Sequence, residues 1–216
     1  MKVIDLTHLI KEGMMVYPGT DAPTVRPACT LEKDGFCETH LSMFSHVGTH
    51  VDAPAHLFAT GRSLDAFEAA QFVGNALVID CRALPDGAAI DMALLRTYGE
   101  ELTRADYLLF CTGYDKKWGD GAYFGEFPCL DDEALDFVIR TGYKGIGSDT
   151  MSMDPMSAAE LPRHKRFLSS GDVINVENLT GLEQCIGKGL VRFICLPLKY
   201  ANADGAPARA IAMIEE

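Results

Sequence analysis

The chain of 216 residues is 48% hydrophobic and 23% charged, a balance typical of a globular protein with one sizeable core. Its net charge of -12 and its lack of long Lys or Arg runs argue against nucleic acid as a partner, because phosphate binding needs a basic surface. No apolar stretch approaches the roughly 20 residues of a membrane span, and the start lacks the apolar segment of a secretory signal, so we expect a cytoplasmic protein with no membrane partner.

Short β-rich runs alternate with helical patterns along the chain. Strands are predicted at residues 3–6, 76–80, 107–111, 144–146, 173–176 and 191–197. Helices are predicted at 91–98, where Asp91 is a suitable N-cap, and at 131–141, where Gly142 follows at the expected C-cap. The alternation predicts one α/β domain over residues 1–216, with a mixed β-sheet that is parallel in its middle and flanked by helices.

The stretch HVGTHVDAPAH, residues 46–56, contains three of the six histidines of the chain. Gly48, two valines and a proline disfavour a helix here. On a straight strand His46, His50 and Asp52 would point to one side, but the outer two would stand roughly 20 Å apart. That span is too long for one ion, whose ligands lie about 2 Å away. The segment must therefore bend if it binds a metal, and Gly48 provides the conformational freedom.

The donor types in this stretch suit a divalent metal. Imidazole and carboxylate ligands are typical of zinc, iron and manganese sites, and catalytic zinc sites keep a position open for water. A turn at Asp52-Ala-Pro would bring His56 towards the same centre. The alternative is a set of ordinary hydrogen-bonded side chains near a surface turn. That is the usual role of a single histidine, but four donors in eleven residues favour the metal.

Downstream of this stretch, His164 is the only histidine that could be a further ligand, and Glu177 follows 13 residues later. His164 lies between Arg163 and Lys165, which is typical of an exposed side chain. Glu177 ends an apolar, strand-like run, a suitable position for a functional acid. It could also be an acidic residue at the start of a helix. Sequence position alone does not decide whether His164 is exposed or whether Glu177 is a functional acid.

Motifs along nearly the whole chain resemble those of a known family. HVGTHVDAPAH resembles the H-x-G-T-H-x-D-x-P-x-H signature of the metal-dependent cyclase family, which includes bacterial kynurenine formamidases and isatin hydrolases. Other segments resemble further family motifs in the same order, namely VYPG, CTGYD, GSDTMSMD, VENL and PLKYANADGAPARA. The resemblance implies the α/β fold of that family.

The resemblance also implies roles for individual residues in a centre of one or two divalent ions, with zinc favoured and manganese as the alternative. The implied ligands are His46, His50 and Asp52 for the first ion and His164 and Glu177 for the second, with Asp52 and Glu177 bridging the two. His56 matches the catalytic acid/base of the family. The competing interpretation makes His56 another ligand.

Together with these residues, the resemblance implies a metal-dependent hydrolase that cleaves the C–N bond of a small aromatic or cyclic amide or formamide. Metal-activated water would attack the carbonyl group, with His56 as the general acid/base. One alternative is a cyclase or dehydratase that uses the metal as a Lewis acid without hydrolysis. Another is a catalytically inactive, metal-dependent binding protein. The family resemblance further implies a homo-oligomer, either a dimer or a tetramer.

Several residues near these motifs have two possible roles. Tyr17 stands where formamidase members carry tryptophan and is predicted to contact the substrate, with simple packing as the alternative. Phe44 flanks the signature and is expected in the core. Asp154, in GSDTMSMD, either orients a ligand histidine or stabilises a turn, and the sequence favours the turn.

Overall fold

Residues 1–215 are described by a computed structural model of the chain. Within them, twelve β-strands and five α-helices are joined by loops and short 3-10 helices. The strands are β1 (Lys2–Asp5), β2 (Thr24–Cys29), β3 (Glu38–Ser42), β4 (His50–Asp52), β5 (Val73–Asp80), β6 (Ala89–Ile90), β7 (Tyr107–Cys111), β8 (Cys129–Leu130), β9 (Gly145–Ser148), β10 (Ile174–Glu177), β11 (Leu190–Pro197) and β12 (Gly205–Ile214). The helices are α1 (Leu31–Asp34), α2 (Met92–Arg96), α3 (Glu101–Arg104), α4 (Asp132–Thr141) and α5 (Pro162–Leu168).

Eight of the described strands form one mixed sheet, in the order β1-β12-β11-β5-β7-β9-β10-β4. The central strands β5, β7, β9 and β10 run parallel. The strands on both sides of this block pair antiparallel. The predicted α/β fold with a mixed sheet is therefore confirmed. β4 also pairs with β12, so that the sheet closes on itself, a feature that the sequence pattern does not predict.

The parallel strands separate two hydrophobic layers. Along β5, Ala76 and Val78 belong to the interior that the sheet encloses, whereas Leu77 and Ile79 belong to the layer that contains residues of α2 and α4. This alternation follows from the two-residue period of a strand. β7 is buried on both faces, which explains its uninterrupted apolar sequence.

Helix ends follow from capping residues that the sequence predicts. Asp91 accepts a hydrogen bond from the backbone N–H of Leu94 at 2.9 Å and begins α2. α4 ends at Thr141 and is capped by Gly142, whose φ of 76° is left-handed. α4 has ten residues and is the longest helix in the described part of the chain. No helix among residues 1–215 is long and apolar enough to cross a membrane.

β2 and β3 form a two-stranded hairpin outside the main sheet. Every residue of β3 is exposed, and so are Leu31 and Phe36 in the segment that connects the two strands. A two-stranded hairpin is at best marginally stable alone in water. Its exposed apolar side chains, which include Leu41, therefore form a candidate contact surface.

Candidate metal centre

The candidate centre lies on the outer face of the sheet, where β4 and β10 are neighbours. The two strands are antiparallel, with Glu177 opposite His50 and Asn175 opposite Asp52. Because side chains alternate along a strand, these four buried polar residues share one face, while Val51 packs into the core on the other. A long-range strand pairing therefore assembles the centre.

The stretch of residues 46–56 bends at two points. Gly48 has a φ of 63°, which residues with a side chain rarely adopt. Pro54–His56 form a 3-10 turn directly after β4. The two bends return His56 to His46, so that the centroids of the two rings lie 4.0 Å apart. The chain thus bends at the two places that the sequence indicates.

His46 packs directly on the backbone of β12. A Cβ atom at Gly205 would lie 2.3 Å from Cε1 of the His46 ring. Such a separation is far inside van der Waals contact, so only glycine leaves room for the imidazole at this position. The closure of the sheet therefore brings the tail of the chain against the histidine stretch.

The first group of donor atoms comprises His46, His50 and Asp52. Oδ1 of Asp52 lies 2.7 Å from Nδ1 of His46 and 3.1 Å from Nε2 of His50. Nδ1 of His50 donates a hydrogen bond to the carbonyl oxygen of Gly48 at 2.8 Å. A hydrogen bond of this kind fixes the tautomer of a ligand imidazole, so Nε2 of His50 is the atom available to a metal.

The second group comprises Asp52, His164 and Glu177. His164 lies in α5 and is only 4% exposed, although its basic neighbours suggest a surface position. Its Nε2 lies 2.9 Å from Oε1 of Glu177 and 3.7 Å from Oδ2 of Asp52. Oε2 of Glu177 lies 3.6 Å from Nε2 of His50. Both carboxylates therefore direct one oxygen to each group, which is the arrangement that bridging ligands need.

Asp154 fixes the orientation of His164. Its Oδ2 accepts hydrogen bonds from Nδ1 of His164 at 2.7 Å and from the backbone N–H of the same residue at 3.0 Å. Its Oδ1 accepts from the backbone N–H of Arg163 at 2.9 Å. Asp154 thus orients the histidine and also stabilises the first turn of α5. The sequence favours only the second of these two roles.

The two groups together fit a divalent cation. The ligand atoms of each group lie within 4.8 Å of one another. They are imidazole nitrogens and carboxylate oxygens, which suit zinc and manganese. Asp52 and Glu177 also bring two buried negative charges close together, which is costly unless positive charge compensates them.

The sequence and the fold match one protein family. Residues 4–155, more than half of the chain, match the family model Cyclase, described as "Putative cyclase". The chain belongs to the cyclase family. The resemblance inferred from the motifs is thereby confirmed.

Relatives of this cyclase-family chain match it over almost its full length. A kynurenine formamidase of Salinibacter ruber is 27% identical over 98% of this chain and 97% of its own. The structure of isatin hydrolase A from Labrenzia aggregata, bound to benzyl benzoate, has a TM-score of 0.87 and 26% identity to this chain. The match covers 100% of this chain and 94% of the isatin hydrolase chain. A protein described as a predicted metal-dependent hydrolase from Bacillus stearothermophilus has a TM-score of 0.78 and 26% identity. This match covers 98% of the present chain and 97% of the hydrolase chain.

Carboxylates control the protonation of the histidines in the cyclase-family centre. Burial opposes the charged form of His46, but hydrogen bonds to Asp204 and Asp52 outweigh burial and raise its pKa to about 10. Burial likewise opposes the charged form of His164, but contacts with three carboxylates hold its pKa well above the ordinary value. Since metal ligation needs a neutral imidazole, a cation and these protons compete for the same nitrogens.

His56 and Asp204 lie at the exposed edge of the centre. His56 is 27% exposed, and its Nδ1 lies 4.0 Å from Oδ2 of Asp204. The same oxygen lies 2.9 Å from Nε2 of His46, and this contact holds the pKa of the Asp204 carboxyl well below its ordinary value. His46, His56 and Asp204 thus form a third group of donor atoms. Sequence reasoning missed Asp204, although it lies in the closing family motif.

A cavity of about 510 Å³ opens onto this cyclase-family centre. Its lining includes the residues of the three donor groups together with Tyr17, Phe44, Met151 and Leu161. Phe44 is 54% exposed, so the expectation that it fills the core is wrong; its ring lies beside the cavity instead. Tyr17 is also exposed. Both rings are therefore available to a small bound molecule.

Proposed function

We propose that this cyclase-family chain is a metal-dependent hydrolase that cleaves the C–N bond of a small aromatic or cyclic amide or formamide. The observation that carries the proposal is the pair of donor groups that share Asp52 next to His56 at one cavity. The kynurenine formamidase and isatin hydrolase among its relatives support an amide hydrolase.

Five side chains would hold the metal, with zinc favoured and manganese as the alternative. His46, His50 and Asp52 would bind a first ion, and His164 and Glu177 would bind a second together with Asp52. When bound, a divalent cation polarises the amide carbonyl group and lowers the pKa of water. The remaining side chains of the site would position the substrate and move the proton.

His56 would carry that proton. Burial lowers the pKa of its imidazole, so the ring is neutral at pH 7 and can accept a proton from the water that attacks the carbonyl carbon. His56 would then donate the proton to the departing nitrogen, so that hydrolysis yields an acid and an amine. The carboxylate of Asp204, 4.0 Å from Nδ1 of His56, would stabilise the imidazolium between the two transfers.

Tyr17 would contact the aromatic part of the substrate. A Tyr17→Ala variant should raise KM for N-formylkynurenine about 2- to 12-fold, because an aromatic contact contributes about 0.5–1.5 kcal/mol. Its kcat should change little, since Tyr17 lines the cavity outside the donor groups. Steady-state kinetics give both values. Tyr17→Phe keeps the ring and serves as the control, and a wild-type KM in Tyr17→Ala would show that the ring is not part of the substrate site.

The proposed function is tested by a hydrolysis panel with protein of measured metal content. The panel contains N-formylkynurenine, isatin and simple aryl formamides. We expect stoichiometric metal and products whose combined mass equals that of the substrate plus one water. Products without the added water would favour the cyclase or dehydratase. Stoichiometric metal with no turnover of any amide would favour either the cyclase or dehydratase or the binding protein.

A homo-oligomer, either a dimer or a tetramer, is part of the proposal. The exposed apolar side chains of the β2–β3 hairpin support it, because contact with another copy would cover them. Light scattering of the purified protein should give two or four times the mass of one chain, and a mass equal to one chain would refute the proposal. The cytoplasmic location stays a prediction from the sequence, to be checked by cell fractionation.

A further inference from the structure

Asn175 occupies a buried position between the carboxylates of the second group. It lies on β10 opposite Asp52 and two residues before Glu177, so its side chain shares the face of the predicted ligands. Its Nδ2 lies 2.9 Å from Oδ2 of Asp52, 2.9 Å from Oε1 of Glu177 and 3.4 Å from Nε2 of His164. The residue is 1% exposed. A fourth polar side chain thus contacts all three members of the group.

The four polar atoms stand at distances typical of four ligands around one small cation. Nε2 of His164 lies 2.9 Å from Oε1 of Glu177 and 3.7 Å from Oδ2 of Asp52. Ligands about 2.0–2.1 Å from a tetrahedral ion lie about 3.3 Å from one another. Five of the six separations among these four atoms run from 2.9 to 3.7 Å and so lie on both sides of that value. The end of the Asn175 side chain therefore stands at the fourth corner of the group.

An amide side chain can present either a donor or an acceptor at that corner. With Nδ2 inward, Asn175 donates hydrogen bonds to both carboxylates, and a half-turn of the amide places Oδ1 there with nearly the same shape. Asparagine carbonyl oxygens are known ligands of divalent cations. We infer that Asn175 is the fourth protein ligand of the second metal site. It binds the cation through Oδ1 and donates through Nδ2 when the cation leaves. This inference rests on the metal dependence proposed above.

The assignment gives the second site four protein ligands, Asp52, His164, Asn175 and Glu177, as many as a structural zinc site has. The first group has the more exposed edge, because the His46 side chain is 23% exposed whereas Asn175 and His164 are almost fully buried. Both groups border the cavity, since His46 and His164 are among its lining residues.

Zinc binding by the full chain tests the assignment. Asn175→Leu removes both polar atoms, whereas Asn175→Asp keeps the shape and an oxygen ligand. Dialysis against buffered free Zn²⁺, followed by elemental analysis, gives the number of ions and their affinities. We expect two ions in the wild type and in Asn175→Asp. We expect Asn175→Leu to keep the first ion and to lose roughly tenfold or more in affinity for the second. Asn75→Leu, at an exposed position of β5, is the control and should match the wild type.

A second readout follows the amide itself. The side-chain NH2 resonances of Asn175, identified by their loss in Asn175→Asp, should move in nitrogen-15 NMR spectra when the second equivalent of Zn²⁺ is added. If Asn175→Leu does not fold, this shift together with full second-site binding by Asn175→Asp supports the assignment, and unmoved resonances overturn it.

Two further outcomes would overturn the ligand role: wild-type affinity for both ions in Asn175→Leu, or a wild-type protein that binds one ion at saturating Zn²⁺. A wild-type protein that binds two ions through Asn175 but hydrolyses no amide would support the ligand role and refute the proposed function. The two proposals can therefore fail separately.

Discussion

Replacement of Asp52 by asparagine is expected to abolish hydrolysis and to remove most of the bound metal. Asp52 belongs to both donor groups around the centre: Oδ1 lies 2.7 Å from His46 and 3.1 Å from His50, and Oδ2 lies 3.7 Å from His164. Asparagine keeps the shape but loses the negative charge and replaces one oxygen by an amide nitrogen, so one group loses its oxygen ligand and the other keeps only a neutral one. We expect a loss of about 10³-fold or more in kcat/KM, or about 4 kcal/mol of transition-state stabilisation.

Elemental analysis and steady-state kinetics of the Asp52→Asn variant give the two readouts. Asp65→Asn is a matched control. Asp65 accepts a hydrogen bond from the backbone N–H of Ala203 at 3.2 Å, close in sequence to Asp204, but it is not part of the donor groups. The control should keep metal and activity. Full metal content in Asp52→Asn would be incompatible with a ligand shared by two ions.

The central part of the fold follows from local sequence patterns. β7 is predicted because it is an uninterrupted apolar run, and parallel strands covered on both faces require such runs. The C-terminal end of α4 is predicted because Gly142 is suited to cap a helix. The closure of the sheet by β4 and β12 has no such local signal, since it joins residues 50–52 to residues 205–207 across most of the chain.

In the candidate site, too, some features have a local sequence signal and others depend on long-range strand pairing. The bend that brings His56 to His46 can be inferred from Gly48 and the proline of the signature, because both act on the backbone locally. The proximity of His164 and Glu177 to that stretch cannot, because it depends on β10 pairing with β4. The basic neighbours of His164 even suggest an exposed residue. Only the family resemblance assigned both residues to the site.

Two residues of the site escaped sequence reasoning for different reasons. Asn175 and Glu177 are polar positions two residues apart in a strand that otherwise packs into the core, and that spacing indicates a shared polar face. The sequence therefore contains a signal that Asn175 lies on the same face as Glu177. Asp204 lies in a loop before β12, where an aspartate is ordinary, and only the contact with His46 gives it a role.

Replacement of His56 by alanine is expected to leave the metal bound but to slow hydrolysis strongly. His56 lines the cavity and lies outside the two donor groups that share Asp52. A positioned acid/base contributes about 10²–10⁴-fold, so kcat should fall by that factor while KM changes little. Because a base must be neutral to accept a proton, wild-type kcat/KM should decrease as the pH falls through the pKa of His56, which burial lowers. The variant should lack this acidic limb.

His40→Ala is the matched control for this change, because it removes an exposed imidazole on β3 and should leave kcat and metal content unaltered. Metal content separates the two interpretations of His56, since His46, His56 and Asp204 also form a group that could hold an ion. A His56→Ala protein without metal would make His56 a ligand. Full metal content with the acidic limb lost would make it the proton carrier, because removal of a ligand weakens metal binding whereas removal of a proton carrier does not.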